Sequence, residues 1–153
     1  MVIESDDWGS IRMKSKGAYV NLLIKGYPVY KNAFNRMDTL ESNKDIELLM
    51  EVFSSVKDKN GQPAIMALNN VVVNPDFKKI KESDFKQYYF KPFTETLKRY
   101  PAHDQVYNLL KIGVNQGLFR PQYHGREHLN VGRWMRDLRL GKKPLLDAFE
   151  HQM

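Results

Sequence analysis

The sequence predicts an α/β fold of parallel βα units, about three strands wide, forming a partial (β/α) barrel that stays open. Three observations predict it. Short apolar runs alternate with longer amphipathic ones along the chain. Each short run ends in residues able to bind or catalyse: Asp6 and Asp7, then Asn69 and Asn70, then His124. Finally, 153 residues with 42% hydrophobic content suit a single domain, residues 1–153, with a real core.

The elements follow in order. Val2 to Asp6 is apolar-leaning, breaks into acid and then meets Gly9, which predicts a strand delivering both aspartates to its C-terminal end. Lys14 to Ile24 has a helical pattern that Gly26 ends, and Tyr27 to Leu40 mixes Pro28, Asn32, Asn35 and Asp38 as mostly loop. Ser42 and Asp45 form a capping box ahead of Ile46, Leu49, Met50, Phe53 and Val56 on one helical face. Asn60-Gly61 is expected to stop that helix, and Ala64 to Leu68 to form the second strand.

After Asn74-Pro75 comes a short basic helix, then the aromatic run Phe85 to Phe90, which pattern alone leaves open between strand and packed loop. Val106, Leu109, Leu110 and Val114 mark a helix ended by Gly117, and Leu118 to Tyr123 is the third strand. Val131, Trp134, Met135 and Leu138 mark a further helix whose apolar face is core. There is no internal repeat.

Composition narrows the chemistry. With no cysteine, disulfides and thiolate metal sites are excluded, and any metal needs His, Asp or Glu ligands. Net charge is +6, which favours an anionic partner such as nucleic acid, an acidic lipid surface or an acidic glycan. Lysines 78, 79 and 81 and the run Arg133 to Lys143 concentrate that charge, but no nucleic-acid motif accompanies them and Asp137 interrupts the second. No nucleic-acid partner is therefore expected. Neither a membrane span nor a secretory signal is present, so the chain as it stands is expected to be cytoplasmic.

His124-Gly125-Arg126-Glu127-His128 sets two imidazoles four residues apart, on one face if the segment is helical. A carboxylate from Asp6-Asp7 would complete a hard ligand set. Successive strand residues point to opposite sides, so one aspartate can bind an ion while its neighbour accepts a proton. The same five residues also fit H-x-x-E-H, with Glu127 as base. That pattern needs a long helix and a distant third ligand, and here a strand-like exit precedes it with Glu150 the sole candidate downstream.

Glu4-Ser5-Asp6-Asp7-Trp8-Gly9-Ser10 and Phe119-Arg120-Pro121-Gln122-Tyr123-His124-Gly125-Arg126-Glu127-His128 resemble the first two motifs of polysaccharide deacetylases of the NodB-homology type. Asn70 to Phe77 resembles a bacterial branch of the same family, and the likeness spans nearly the whole chain. It implies a distorted (β/α) barrel of which this chain resembles the N-terminal half. It also implies Asp6 as base, and Asp7, His124 and His128 as ligands of a divalent metal, zinc or another. The implied substrate is an N-acetylated polysaccharide that loses acetyl groups to water.

Two departures qualify the likeness. The motifs are spaced widely, which implies an insertion around Tyr88, Tyr89 and Phe90. The family's later Arg-bearing segment and late histidine have no counterpart after His128, and His151 lacks the expected surroundings. The chain is therefore expected to be a shortened form, slowed about a hundredfold or more by the missing general acid. The alternative is a catalytically incompetent metal- or glycan-binding remnant. An uncovered half-barrel also invites homo-oligomer formation.

Among the neighbours, Trp8 and Tyr123 are candidates for stacking on sugar rings, whereas Tyr88 and Tyr89 suit a core. Arg126 is a candidate for holding Asp6 or a substrate carboxylate, with a surface pair to Glu127 or Asp137 as the plainer alternative. His103, beside Asp104, is expected to be a cap or surface residue.

Overall fold

A computed structural model describes residues 3–153. The chain runs β1 (Ile3–Trp8), α1 (Lys16–Ile24), a 3-10 turn (Val29–Lys31), α2 (Ala33–Met37), α3 (Asn43–Ser55), β2 (Met66–Val71) and β3 (Val73–Pro75). It continues through α4 (Phe77–Glu82), β4 (Phe90–Pro92), α5 (Phe93–Leu97), α6 (Val106–Asn115), β5 (Phe119–Gly125), α7 (Val131–Arg139) and α8 (Lys143–Glu150). Val2, where the sequence starts its first strand, lies outside the described residues.

The chain gathers into two compact units. The first combines the described part of Met1–Ser10 with Leu40–Val73 and Pro92–His128; the second combines Ile11–Thr39, Asn74–Lys91 and Leu129–Met153.

The first unit holds a parallel sheet in the order β1-β2-β5, flanked by helices and not closed into a barrel. Ile3, Met66 and Phe119 align across it, as do Ser5, Leu68 and Pro121. The face carrying Leu68 and Phe119 packs with Ile46 and Phe53 of α3, Leu97 of α5 and Val106 and Leu110 of α6. The alternate positions are Glu4, Asp6, Arg120 and Gln122, all exposed, with Ala67 and Asn69 of the central strand partly buried between them. One side of the sheet is thus a helix-covered core and the other a charged surface, so what is uncovered there is polar and not apolar.

Helix α3 begins where the sequence says. Ser42 Oγ accepts the Asp45 N–H at 3.2 Å, and the Asp45 carboxylate accepts the Ser42 N–H at 2.8 Å. It ends at Ser55 rather than at Asn60-Gly61. Val56 and Lys57 leave the helix because Ala64 donates to the Val56 carbonyl and Lys57 bridges Pro63 antiparallel, which makes Asp58 to Gly61 the turn of a small hairpin. Helix α6 closes at Gly117, whose φ of +75° lets Leu118 donate back to the Gly113 carbonyl at 2.9 Å. Gly113 is itself a packing device: a Cβ there would lie 2.2 Å from the Phe119 ring.

The second unit has its own core of Ile80, Trp134, Met135, Leu138 and Phe149. Phe77 packs edge-on to Trp134 and to Phe149, and Tyr88 edge-on to Trp134. The aromatic run left open by the sequence is mostly this packed layer, with strand beginning at Phe90; Tyr88 and Tyr89 are partly buried and pack against the core, in line with the packing reading. Lys91 and Asp76, both nearly buried, form an ion pair at 3.1 Å. Residues 27–40 are more ordered than a loop: Asn32 caps α2 by accepting the Phe34 N–H at 3.0 Å. Helix α8, which the sequence pattern did not single out, has a proline in its first turn and buries Phe149.

Candidate metal centre

Asp7 ends β1, His124 lies in β5, and His128 follows in the bend after it. The two imidazoles therefore do not share a helical face. They meet because β5 runs two residues beyond Tyr123 and the chain then doubles back. His124 Nε2 and His128 Nε2 are 2.8 Å apart, with rings stacked at 4.9 Å between centroids.

Strand irregularities aim both outer strands at this point. Along β1 the register passes from Ser5 opposite Leu68 to Trp8 opposite Asn70, so Asp6 and Asp7 occupy the place of one residue. Along β5 it passes from Tyr123 opposite Asn70 to Gly125 opposite Val71, so His124 is the extra residue. A bulge bends its strand and redirects a side chain. Asp7 also adopts φ +66°, a left-handed backbone that aspartate tolerates better than most residues. The result spans the end of the central strand. Asp7 Oδ1, itself buried, lies 3.4 Å from His124 Nε2 and 3.0 Å from His128 Nε2.

Three candidate ligand atoms thus form a triangle with sides of 2.8, 3.0 and 3.4 Å. Ligands sharing one tetrahedral zinc at about 2.0–2.1 Å stand roughly 3.3–3.5 Å apart, so the triangle is close to that size and slightly tight. Two imidazoles facing at 2.8 Å share either one N–H or one cation. The set of two nitrogens and one carboxylate oxygen suits zinc or a similar divalent ion. The residues fit the group.

Main-chain bonds hold the ligand loop in place. The Arg126 carbonyl accepts the N–H groups of both Val72 and Val73, at 3.2 and 3.0 Å, which pins the segment between the histidines to the chain just after β2. The Arg126 guanidinium forms two bonds to the Glu127 carboxylate, at 2.7 and 2.8 Å. That is the plainer alternative for Arg126, and it also occupies the glutamate that an H-x-x-E-H reading would make the base.

Asp6 is exposed and accepts a hydrogen bond from Asn69 Nδ2 at 2.7 Å. Asn69 was flagged in the sequence as lying on this rim, but not as the partner of Asp6. Comparisons were made with protein-family models, curated proteins and solved structures. No match was found in any of them.

Two further groups escaped the sequence. Glu41 Oε2 accepts the N–H of Gly9, immediately after the Asp-Asp-Trp segment, at 3.3 Å. Burial pushes the Glu41 carboxyl above its usual range, with the bonds from main-chain N–H groups acting against it. Gly9 itself, at φ +79°, lies so close to Phe93 that a Cβ would come within 2.9 Å of the ring. The second group is a cleft of about 490 Å³ on the helix-covered side of the sheet, lined by Asn70, Phe93, Tyr107, Lys111 and Tyr123 among others. Asn70 Oδ1 is buried and has no hydrogen-bond partner among the described residues.

Of the remaining candidates, Tyr123 is 72% exposed on the residue before His124, whereas Trp8 packs partly against the first unit's core. His103 is structural, with Nδ1 2.5 Å from the Glu41 carbonyl and its ring edge-on to Tyr100. Asp137 binds Arg136 and Lys142, each at 2.9 Å, so part of the Arg133 to Lys143 run is neutralised locally.

Proposed function

We propose that this chain is a metal-dependent hydrolase that removes N-acetyl groups from a polysaccharide. The observation that carries the proposal is the convergence onto one point of Asp7 and His124 from two bulged outer strands and of His128 from the bend after β5. Such an arrangement is not apolar packing: it lies at a partly exposed rim and brings two imidazole nitrogens within 3.0 and 3.4 Å of one carboxylate oxygen.

Asp7, His124 and His128 would hold the ion, zinc or another divalent metal. When bound, it would supply Lewis-acid activation of water and of the acetyl carbonyl. Asp6 acts as general base: Asn69 fixes one carboxylate oxygen, and the carboxylate takes the proton of the attacking water. Tyr123 offers a flat, exposed ring beside the ligands on which a pyranose can stack. Asn70 Oδ1 provides an acceptor for a sugar hydroxyl or amide N–H.

A second reading, metal or glycan binding without turnover, is favoured by His103. It is the remaining histidine of the first unit, its Nδ1 is held by the Glu41 carbonyl and its ring packs edge-on to Tyr100, which gives it a structural role and leaves the leaving amine without an assigned proton donor.

Calorimetry with zinc at neutral pH, beside His124→Ala and Asp7→Ala, tests the ligand set. One tightly bound ion in the parent and loss in both variants is expected; equal binding by Asp7→Ala would sink it. Release of acetate from chito-oligosaccharides by the zinc-loaded chain, abolished by Asp6→Asn, then separates hydrolase from remnant. Binding without acetate release would leave the second reading.

A further inference from the structure

The net charge of this protein is not spread along it. Residues 11–37 contain six basic side chains (Arg12, Lys14, Lys16, Lys25, Lys31 and Arg36) and no acidic one. The whole chain has 24 basic and 18 acidic residues, so everything outside this stretch balances at 18 of each and the stretch alone accounts for the +6.

The same stretch exposes large apolar side chains. Ile24 is 78% exposed, Met37 70%, Phe34 64% and Tyr30 60%, with Val20 about half exposed. Helix α1 is apolar on two sides. Ala18 and Leu22 face inward and are buried, whereas Val20 and Ile24, four residues apart, line the outer side with Lys16 one turn before them. A helix apolar on both sides is ordinarily covered on both. On α2, Phe34 and Met37 are three residues apart and share an exposed side in the same way. Two of the cations are engaged: Arg12 with Asp38 at 2.7 Å, and Lys25 with Asp147. Lys14, Lys16, Lys31 and Arg36 are exposed and form no ion pair among the described residues.

We propose that the segment 11–37 docks on an anionic lipid surface, with its exposed apolar side chains Ile24, Phe34 and Met37 entering the acyl boundary and the lysines and Arg36 meeting the headgroups. Charge complementarity selects an anionic partner. The apolar side chains select among anions: nucleic acid and acidic glycan offer phosphate or carboxylate but no apolar phase for Ile24 and Met37, whereas a bilayer interface offers both. Tyrosine at such a boundary, here Tyr30, keeps its ring in the apolar layer and its hydroxyl wet. The proposal is independent of the metal centre.

Flotation of the full chain with vesicles tests it, using phosphatidylcholine alone and phosphatidylcholine mixed with phosphatidylglycerol. Binding to the mixed vesicles, weak binding to the neutral ones and weakening by salt are expected. Each lysine removed should lower affinity about fivefold, so Lys16→Ala with Lys31→Ala lowers it roughly twenty-five-fold. Ile24→Ser with Phe34→Ser should lower it about tenfold or more at unchanged far-UV circular dichroism. A tryptophan introduced as Ile24→Trp should shift its emission to shorter wavelength on mixed vesicles. Equal binding to both vesicle types, no binding, or no emission shift would overturn the proposal. So would vesicle binding insensitive to the serine pair, or heparin or DNA binding as tight as that to mixed vesicles.

Discussion

Asp7 joins two demands in one residue, and replacing it by glycine separates them. The left-handed backbone at φ +66° costs an L-residue roughly 1–2 kcal/mol, less for aspartate, and costs glycine almost nothing. Without metal, Asp7→Gly should therefore be as stable as the parent or up to about 1 kcal/mol more stable, while Asp7→Ala should be less stable. Zinc reverses the order. At a free concentration a hundredfold above its dissociation constant, an ion bound by the native state alone adds about 2.7 kcal/mol. For a chain of this size that raises the melting temperature by roughly 5–10 °C. Asp7→Gly, left with two exposed histidines, should rise by less than about 2 °C. Thermal melts followed by circular dichroism, with zinc and with chelator, give both numbers. Asp7→Gly clearly less stable than the parent in chelator would refute the strain argument, and an equal zinc shift in parent and variant would refute the ligand.

Gly113→Ala drives a Cβ to within 2.2 Å of the Phe119 ring and should cost about 1–3 kcal/mol or more in urea unfolding, part of which Phe119→Leu should restore. Glu41 has a folded-state pKa above the usual 4.5, so the stability it contributes is complete below that pH and is lost as pH rises through the folded value. The parent should accordingly lose stability relative to Glu41→Gln on going from acid to neutral pH, by at most about 1.4 kcal/mol per pH unit; parallel urea midpoints for the two would refute this. Asn69→Ala removes the bond that orients Asp6, and should lower kcat about three- to tenfold while zinc affinity in calorimetry stays unchanged. A fall in zinc affinity would instead show that Asn69 acts through Asp7.

The strands and the capping box of α3 were legible because each depends on local periodicity or on one short motif. The site residues were legible as types and as rim positions. Their geometry was not. A bulge leaves no mark on a two-residue alternation, so neither the doubling at Asp6-Asp7 nor the extra residue at His124 could be read from spacing, and the H-x-x-x-H spacing pointed to a helical face that β5 does not supply. The stop of α3 was missed because Asn60-Gly61 does make a turn, but one belonging to the hairpin that Ala64 closes onto Val56. Glu41 was invisible because its partner Gly9 lies 32 residues away. Likewise the net charge was assigned to Lys78, Lys79, Lys81 and the Arg133 to Lys143 run, since clusters of cations draw the eye more readily than a stretch lacking acids.

The two hydrogen bonds from the Val72 and Val73 N–H groups to the Arg126 carbonyl bear on mutational mapping. The atom that fastens the histidine loop belongs to the main chain, so every side-chain replacement at position 126 leaves it in place. A scan of that loop by alanine would test only the side chain at 126, including its pair with the adjacent Glu127, and would not report on the main-chain fastening. The fastening would surface only at the donors, where Val72→Pro or Val73→Pro deletes an N–H far from either histidine in sequence. Tolerance at one position and intolerance some fifty residues earlier would then describe the same two bonds.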